Sequence, residues 1–176
     1  MAASRLSNGK AEIRKTTPTD ASWMAAGFLG MGWAKPDGYF EARLLEQASD
    51  ALVVLVARVG EAYAGHGLVR WESSYEPFAV AGIPEIQDLN VLPGYRNRGI
   101  GTQLLDAAES SIATRSPLAG IGVGLYADYG AAQRLYAGRG YLPDGCGISY
   151  DNKPVIKGEQ YPVDDSMVLH FIKKLR

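Results

Sequence analysis

Residues 89–102 read Leu-Asn-Val-Leu-Pro-Gly-Tyr-Arg-Asn-Arg-Gly-Ile-Gly-Thr, so an apolar strand runs straight into a glycine-punctuated turn. From Ile100 the apolar positions Leu104, Leu105, Ala108 and Ile112 keep near-helical spacing, with Asp106 and Glu109 facing outward. A helix therefore opens directly after the turn. The first N–H groups of a helix lack internal partners, and the helix dipole adds positive potential where they point. Strand, glycine turn and helix in that order make a seat for a phosphate-bearing ligand.

The remaining elements build around this seat. Residues 11–15 can form a first strand, and Thr19 and Asp20 are suitable N-caps for a helix beginning at Ala21. Gly30, Gly32 and Pro36 break the chain before a second short helix over residues 39–47. Residues 51–58 are strongly β-prone, Gly60-Glu61 supplies a turn, and residues 63–71 continue as a hairpin partner. Residues 73–84 read as irregular, 85–91 as the central strand, 120–126 as another strand, and 131–137 as a short helix stopped by Gly138 and Gly140. After Tyr141-Leu142 a polar loop leads to a last strand over residues 166–172. This order predicts an α+β fold with a mixed, mostly antiparallel central sheet flanked by about four helices. The helix between residues 85–91 and 120–126 makes those two strands a parallel crossover pair.

A chain of 176 residues is long enough for one substantial core, and residues 11–176 are expected to form one domain behind a flexible lead-in over residues 1–10. A formal net charge of −1 gives no general attraction to nucleic acid, so an anion site must be local. No apolar run approaches the ~20 residues of a bilayer span, and the first ten residues have no apolar signal core. Cys146 is alone, so no internal disulfide forms. With only His66 and His170 beside it, no metal site is expected. A cytoplasmic location is the expectation.

Two ligand classes drop out on spacing. No Gly-Lys-Ser/Thr triplet exists for a P-loop, and the turn holds only Gly99 and Gly101 of a Gly-x-Gly-x-x-Gly fingerprint. What remains is Arg96-x-x-Gly99-x-Gly101 after a strand reading Leu89-x-Val91-x-Pro93. Downstream come the strand over residues 120–126, then Ala132-x-x-Leu135-Tyr136, then Gly140-Tyr141. With these two landmarks in this order, the chain resembles the GNAT superfamily of acetyl-CoA-dependent N-acetyltransferases from about Ala51 to Leu142.

The resemblance implies acetyl-CoA as co-substrate and a bulge in the strand before the turn that splays the parallel pair. The main chain of Leu89, Asn90 and Val91 would bond the pantetheine arm and polarise the thioester carbonyl. Arg96, Asn97, Arg98, Gly99, Ile100, Gly101 and Thr102 would hold the diphosphate, since glycines let it approach the backbone. Tyr136 would be the general acid, a phenol with pKa near ~10 that stays protonated at neutral pH. Glu85 is the candidate base, working through a water, with Asp88 as the alternative. Plain alternation puts Glu85 and Gln87 on one face, Asp88 and Asn90 on the other. Tyr129 stands where many members carry an Asn that touches the cofactor.

In this family the acceptor groove is lined by two segments that map here to residues 28–40 and 145–165. The first carries Trp33, Tyr39 and Phe40, the second Tyr150, Asp151, Glu159, Tyr161, Asp164 and Asp165. Carboxylates beside aromatic faces suit a cationic amine, whether small molecule or peptide. No Ser or Cys nucleophile with a readable base is present, so direct transfer in a ternary complex is expected. A non-catalytic acyl-CoA-binding module and a transferase for another acyl group are the alternatives, and a homodimer is compatible with such folds.

Overall fold

The computed structural model describes residues 11–30 and 35–176. The lead-in over residues 1–10 and Trp33 lie outside the described residues.

The chain order is β1 (Glu12–Lys15), α1 (Asp20–Leu29), α2 (Tyr39–Ala48), β2 (Leu52–Val59), β3 (Ala62–Arg70), α3 (Glu76–Ala81), β4 (Glu85–Val91), α4 (Ile100–Ala113), β5 (Leu118–Gly124), α5 (Gly130–Gly138), β6 (Leu142–Tyr150), β7 (Lys153–Pro154) and β8 (Met167–Lys174). The strands form one mixed eight-stranded sheet ordered β1-β2-β3-β4-β5-β8-β6-β7. The parallel pair is β4 with β5; β1-β2, β5-β8, β8-β6 and β6-β7 pair antiparallel.

Three local expectations need correction. Residues 73–84 are not irregular throughout: Pro77 in the first turn and Gly82 in the left-handed conformation (φ 62°) bracket the helix α3. The segment after Leu142 is not a plain loop but the strands β6 and β7. Their polar, Gly-rich sequence hides them, and Gly145 and Gly147 at positive φ accompany a register shift between Pro143 and Ile148. Asp20 begins α1 but does not cap it. Its carboxylate is taken by Arg14 at 2.8 Å on each oxygen and by the Thr17 N–H at 2.6 Å.

The chain divides into two compact units, Met1–Gly67 with Asp88–Ala107, and Leu68–Gln87 with Ala108–Arg176. In the first, β2 is buried along nearly all of its length, which is why its sequence is continuously apolar rather than alternating. Met24 and Phe28 of α1 and Phe40 of α2 complete that core, with Phe28 and Phe40 edge to face at 5.5 Å. In the second, Tyr75, Phe78 and Ile83 form a buried cluster against Leu118 and Ile172. Gly120 on β5 is required there, because a Cβ would overlap the Phe78 ring.

Candidate active site

In the first unit, the glycine turn has a curl that can hold an anion. Asn97 (φ 59°) and Gly99 (φ 75°) are both left-handed, flanking Arg98. Alternating left- and right-handed residues curl successive N–H groups toward one concave point. The first helical bond of α4 runs from the Gln103 N–H to the Gly99 carbonyl at 3.0 Å. The N–H groups of Ile100, Gly101 and Thr102 thus stand ahead of the helical ladder. Arg96 pins the turn to the strand, its Nε donating to the Val91 carbonyl at 3.1 Å, and Arg98 lies 5.4 Å from the Tyr95 ring.

The strand leading into this turn contains one left-handed residue. Asp88 has φ 49°, a conformation that Asp tolerates better than most residues. Its carboxylate accepts from Lys35 Nζ (2.7 Å), Tyr39 Oη (2.6 Å), His66 Nε2 (2.9 Å) and Asn90 Nδ2 (2.6 Å). Despite the desolvation of a largely buried acid, the His66 and Lys35 contacts hold it well below the usual carboxylate range. His66 is fully buried, and its Nδ1 faces the Tyr63 hydroxyl at 2.5 Å. On the neighbouring strand Gly65 must lack a side chain, because a Cβ would overlap the Asn90 carbonyl oxygen.

In the second unit, β4 pairs with β5 only at Glu85↔Gly120 and Ile86↔Ile121. Glu85 is buried; its carboxylate accepts from Ser73 Oγ (2.5 Å) and Gln87 Nε2 (2.7 Å). Arg70 Nε donates to Gln87 Oε1 at 3.2 Å and so orients that amide. His170 Nε2 lies 4.0 Å from Glu85 Oε1. Burial raises Glu85 above the ordinary carboxylate value, against the pull of Ser73 and Gln87. Burial likewise pushes His170 down to about 4, so its imidazole, stacked on Tyr75 at 3.6 Å, is neutral at pH 7. Tyr136 on α5 is 5% exposed, and burial raises its phenol above its ordinary value.

Residues 50–142, more than half of the chain, match the acetyltransferase (GNAT) domain family. The chain belongs to the GNAT family. Solved structures agree on the fold: an N-acetyltransferase from Staphylococcus aureus Mu50 superposes with TM-score 0.70 at 16% identity, covering 96% of this chain and all of that one. Ribosomal-protein-alanine N-acetyltransferase from Brucella melitensis gives 0.66 at 21% identity, covering 93% of this chain and 99% of that one. The yncA protein of Salmonella typhimurium, solved with its cofactor acetyl-CoA, gives 0.63 at 16% identity over 94% of each chain. Among curated proteins none matches significantly.

The turn of this GNAT protein leaves its backbone uncrowded at two glycines. Nothing lies within 4 Å of where a Cβ would stand at Gly94, and at Gly99 only Gln103 Nε2 lies at that limit. The residue expectations from the sequence fall in two groups. Leu89 to Thr102 and Asp88 belong to the first unit; Glu85, Tyr129 and Tyr136 belong to the second. Tyr129 has a partner that an Asn could not reach in the same way: its hydroxyl donates to Asp165 Oδ1 at 2.9 Å, and Tyr126 donates to the same oxygen. Sequence reasoning gave no role to Lys35, His66, Ser73, Gln87 or His170. Gln87 was readable, since it shares a strand face with Glu85; the others come from elements distant in sequence.

No helix among the described residues is long and apolar enough to cross a membrane.

Proposed function

We propose that this GNAT acetyltransferase moves the acetyl group of acetyl-CoA directly to a primary amine of a small molecule or peptide. The observation that carries the reading is the doubly left-handed turn at Asn97 and Gly99 with the amides of Ile100, Gly101 and Thr102 ahead of the helical ladder. Arg96, Asn97 and Arg98 complete the diphosphate seat in this reading. The main chain of Leu89, Asn90 and Val91 would bond the pantetheine arm and polarise the thioester carbonyl, as the family resemblance implies.

Two protein groups then handle protons. Glu85, whose raised affinity for a proton suits a base, would take one from the incoming ammonium through a water. The freed nitrogen lone pair attacks the thioester carbon, a C–N bond forms, and the C–S bond breaks. Tyr136, kept neutral by burial, would give its phenolic proton to the departing thiolate. The nitrogen's second proton leaves to solvent, from which the Tyr136 phenolate is reprotonated at the end of the cycle. Tyr129 would lie along the cofactor with its ring rather than through an amide. One cysteine fits a reducing compartment, and we place the reaction in the cytoplasm.

The test is incubation with isotopically labelled acetyl-CoA and an extract of cell metabolites, reading labelled amines by mass spectrometry and free thiol by colorimetry. Thiol and N-acetylated product should rise together. Tight acetyl-CoA binding without any product would instead make the protein a binding module, and faster turnover with propionyl- or succinyl-CoA would reassign the acyl group.

A further inference from the structure

One cation in the first unit is held in a way that exceeds the needs of a surface ion pair. Lys35 lies in the connection between α1 and α2, and its Nζ donates to Asp88 Oδ1 at 2.7 Å. The same Nζ is 4.8 Å from the ring centroid of Tyr39 and 5.8 Å from that of Phe28. The Tyr39 hydroxyl and His66 Nε2 complete the other carboxylate oxygen. A carboxylate and two aromatic faces around one ammonium is the chemistry of a cation-recognition box. The box is not sealed, since 25% of the Lys35 side chain remains exposed.

We propose that Asp88, Tyr39 and Phe28 form the subsite for a second, non-reacting positive charge on the acceptor, and that Lys35 fills it in the free protein. The acceptor class is then a diamine, or an amine carrying another cationic group. This rests on the acetyl-transfer reading above, in which Leu89, the residue after Asp88, begins the main-chain segment that polarises the thioester.

Two arguments favour an anchor over the reacting amine. A carboxylate held well below its usual range keeps any ammonium bonded to it protonated. A protonated nitrogen has no lone pair, so a cation in the box cannot attack the thioester. Exchange of Lys35 for an incoming ammonium also leaves Asp88 paired throughout, which avoids the cost of stranding a largely buried charge. Lys35 is a tethered competitor whose effective concentration, for a short flexible tether, is on the order of millimolar.

The test titrates 1,4-diaminobutane and its neutral analogue 1,4-butanediol by calorimetry into wild type and Lys35→Met, with and without CoA, so that nothing turns over. The diamine should bind Lys35→Met at least about tenfold tighter than wild type, with less than a twofold gain for butanediol. The gain should vanish in Lys35→Met/Asp88→Asn, and, should that variant not fold, in Lys35→Met/Tyr39→Ala. Equal gains for the two compounds, or a diamine gain that survives loss of Tyr39, overturns the proposal. Because binding is read without transfer, tight diamine binding in a protein that moves no acetyl group would sink only the transfer reading. Transfer without diamine selectivity would sink only this one.

Discussion

Asp88 and Glu85 lie three residues apart on one strand, yet the molecule treats them in opposite ways. Asp88, in the first unit, is ringed by four donors and is kept charged. Glu85, in the second, has two neutral donors, a neutral imidazole nearby and only the longer-range pull of the Arg70 charge, and burial raises its affinity for a proton. The same unit keeps Tyr136 and His170 uncharged by the same means. Both acids are largely desolvated, so burial alone does not set protonation. The partners decide: two cationic or strongly donating groups outweigh desolvation, and amide and hydroxyl donors do not.

The sharpest way to break this contrast is to remove a proton that burial protects. Tyr136→Phe should lower kcat by about 10²-fold, within the range for a lost general acid, while the Kd for acetyl-CoA stays within twofold. Thiol-release kinetics beside calorimetry check both, and an unchanged kcat removes Tyr136 from the chemistry. Next, Asp88→Asn should cost about 2 kcal/mol at pH 7, as charge-assisted bonds to Lys35 and His66 are lost. Glu85→Gln should change stability by less than about 1 kcal/mol, because an amide oxygen still accepts from Ser73 and Gln87 and burial disfavours a charge there. Urea denaturation measures the pair, and equal losses would erase the distinction.

The pH dependence separates them by sign. The native Asp88 value lies below its ordinary 3.8, so its contribution is complete above that pH and is lost as pH falls below it. The native Glu85 value lies above its ordinary 4.5, so its contribution is complete below 4.5 and is lost as pH rises through the raised value. Asp88→Asn should therefore flatten the acid limb of a stability–pH curve, and Glu85→Gln the limb above 4.5. The smallest effect expected is from Tyr129→Phe, about 0.5–1 kcal/mol for one hydrogen bond to Asp165, visible by thermal melting.

Much of this was legible in residue order. The turn over residues 89–102 announced both its strand and its helix, because glycine spacing and helical periodicity are local signals. Alternation along β4 was also legible: Gln87 bonds Glu85, and Asn90 bonds Asp88, as period-two counting places them. The strand β6 stayed hidden because its exposed, Gly-rich sequence lacks the apolar alternation that marks a strand. The partners of the two acids were not readable for a different reason. Lys35 is 53 residues from Asp88, and a pairing over that distance is set by topology rather than by any local pattern.

Gly65 carries a consequence for how this protein can change. The Asn90 carbonyl uses the space that a methyl group would take, so the tilt of the following strand depends on an atom that is missing from its neighbour. An alanine at that position would push the Asn90 peptide aside and re-aim Asp88 without altering one ionisable group. Acceptor preference would thus drift through a silent-looking substitution on β3, at a position that itself carries no charged or catalytic side chain.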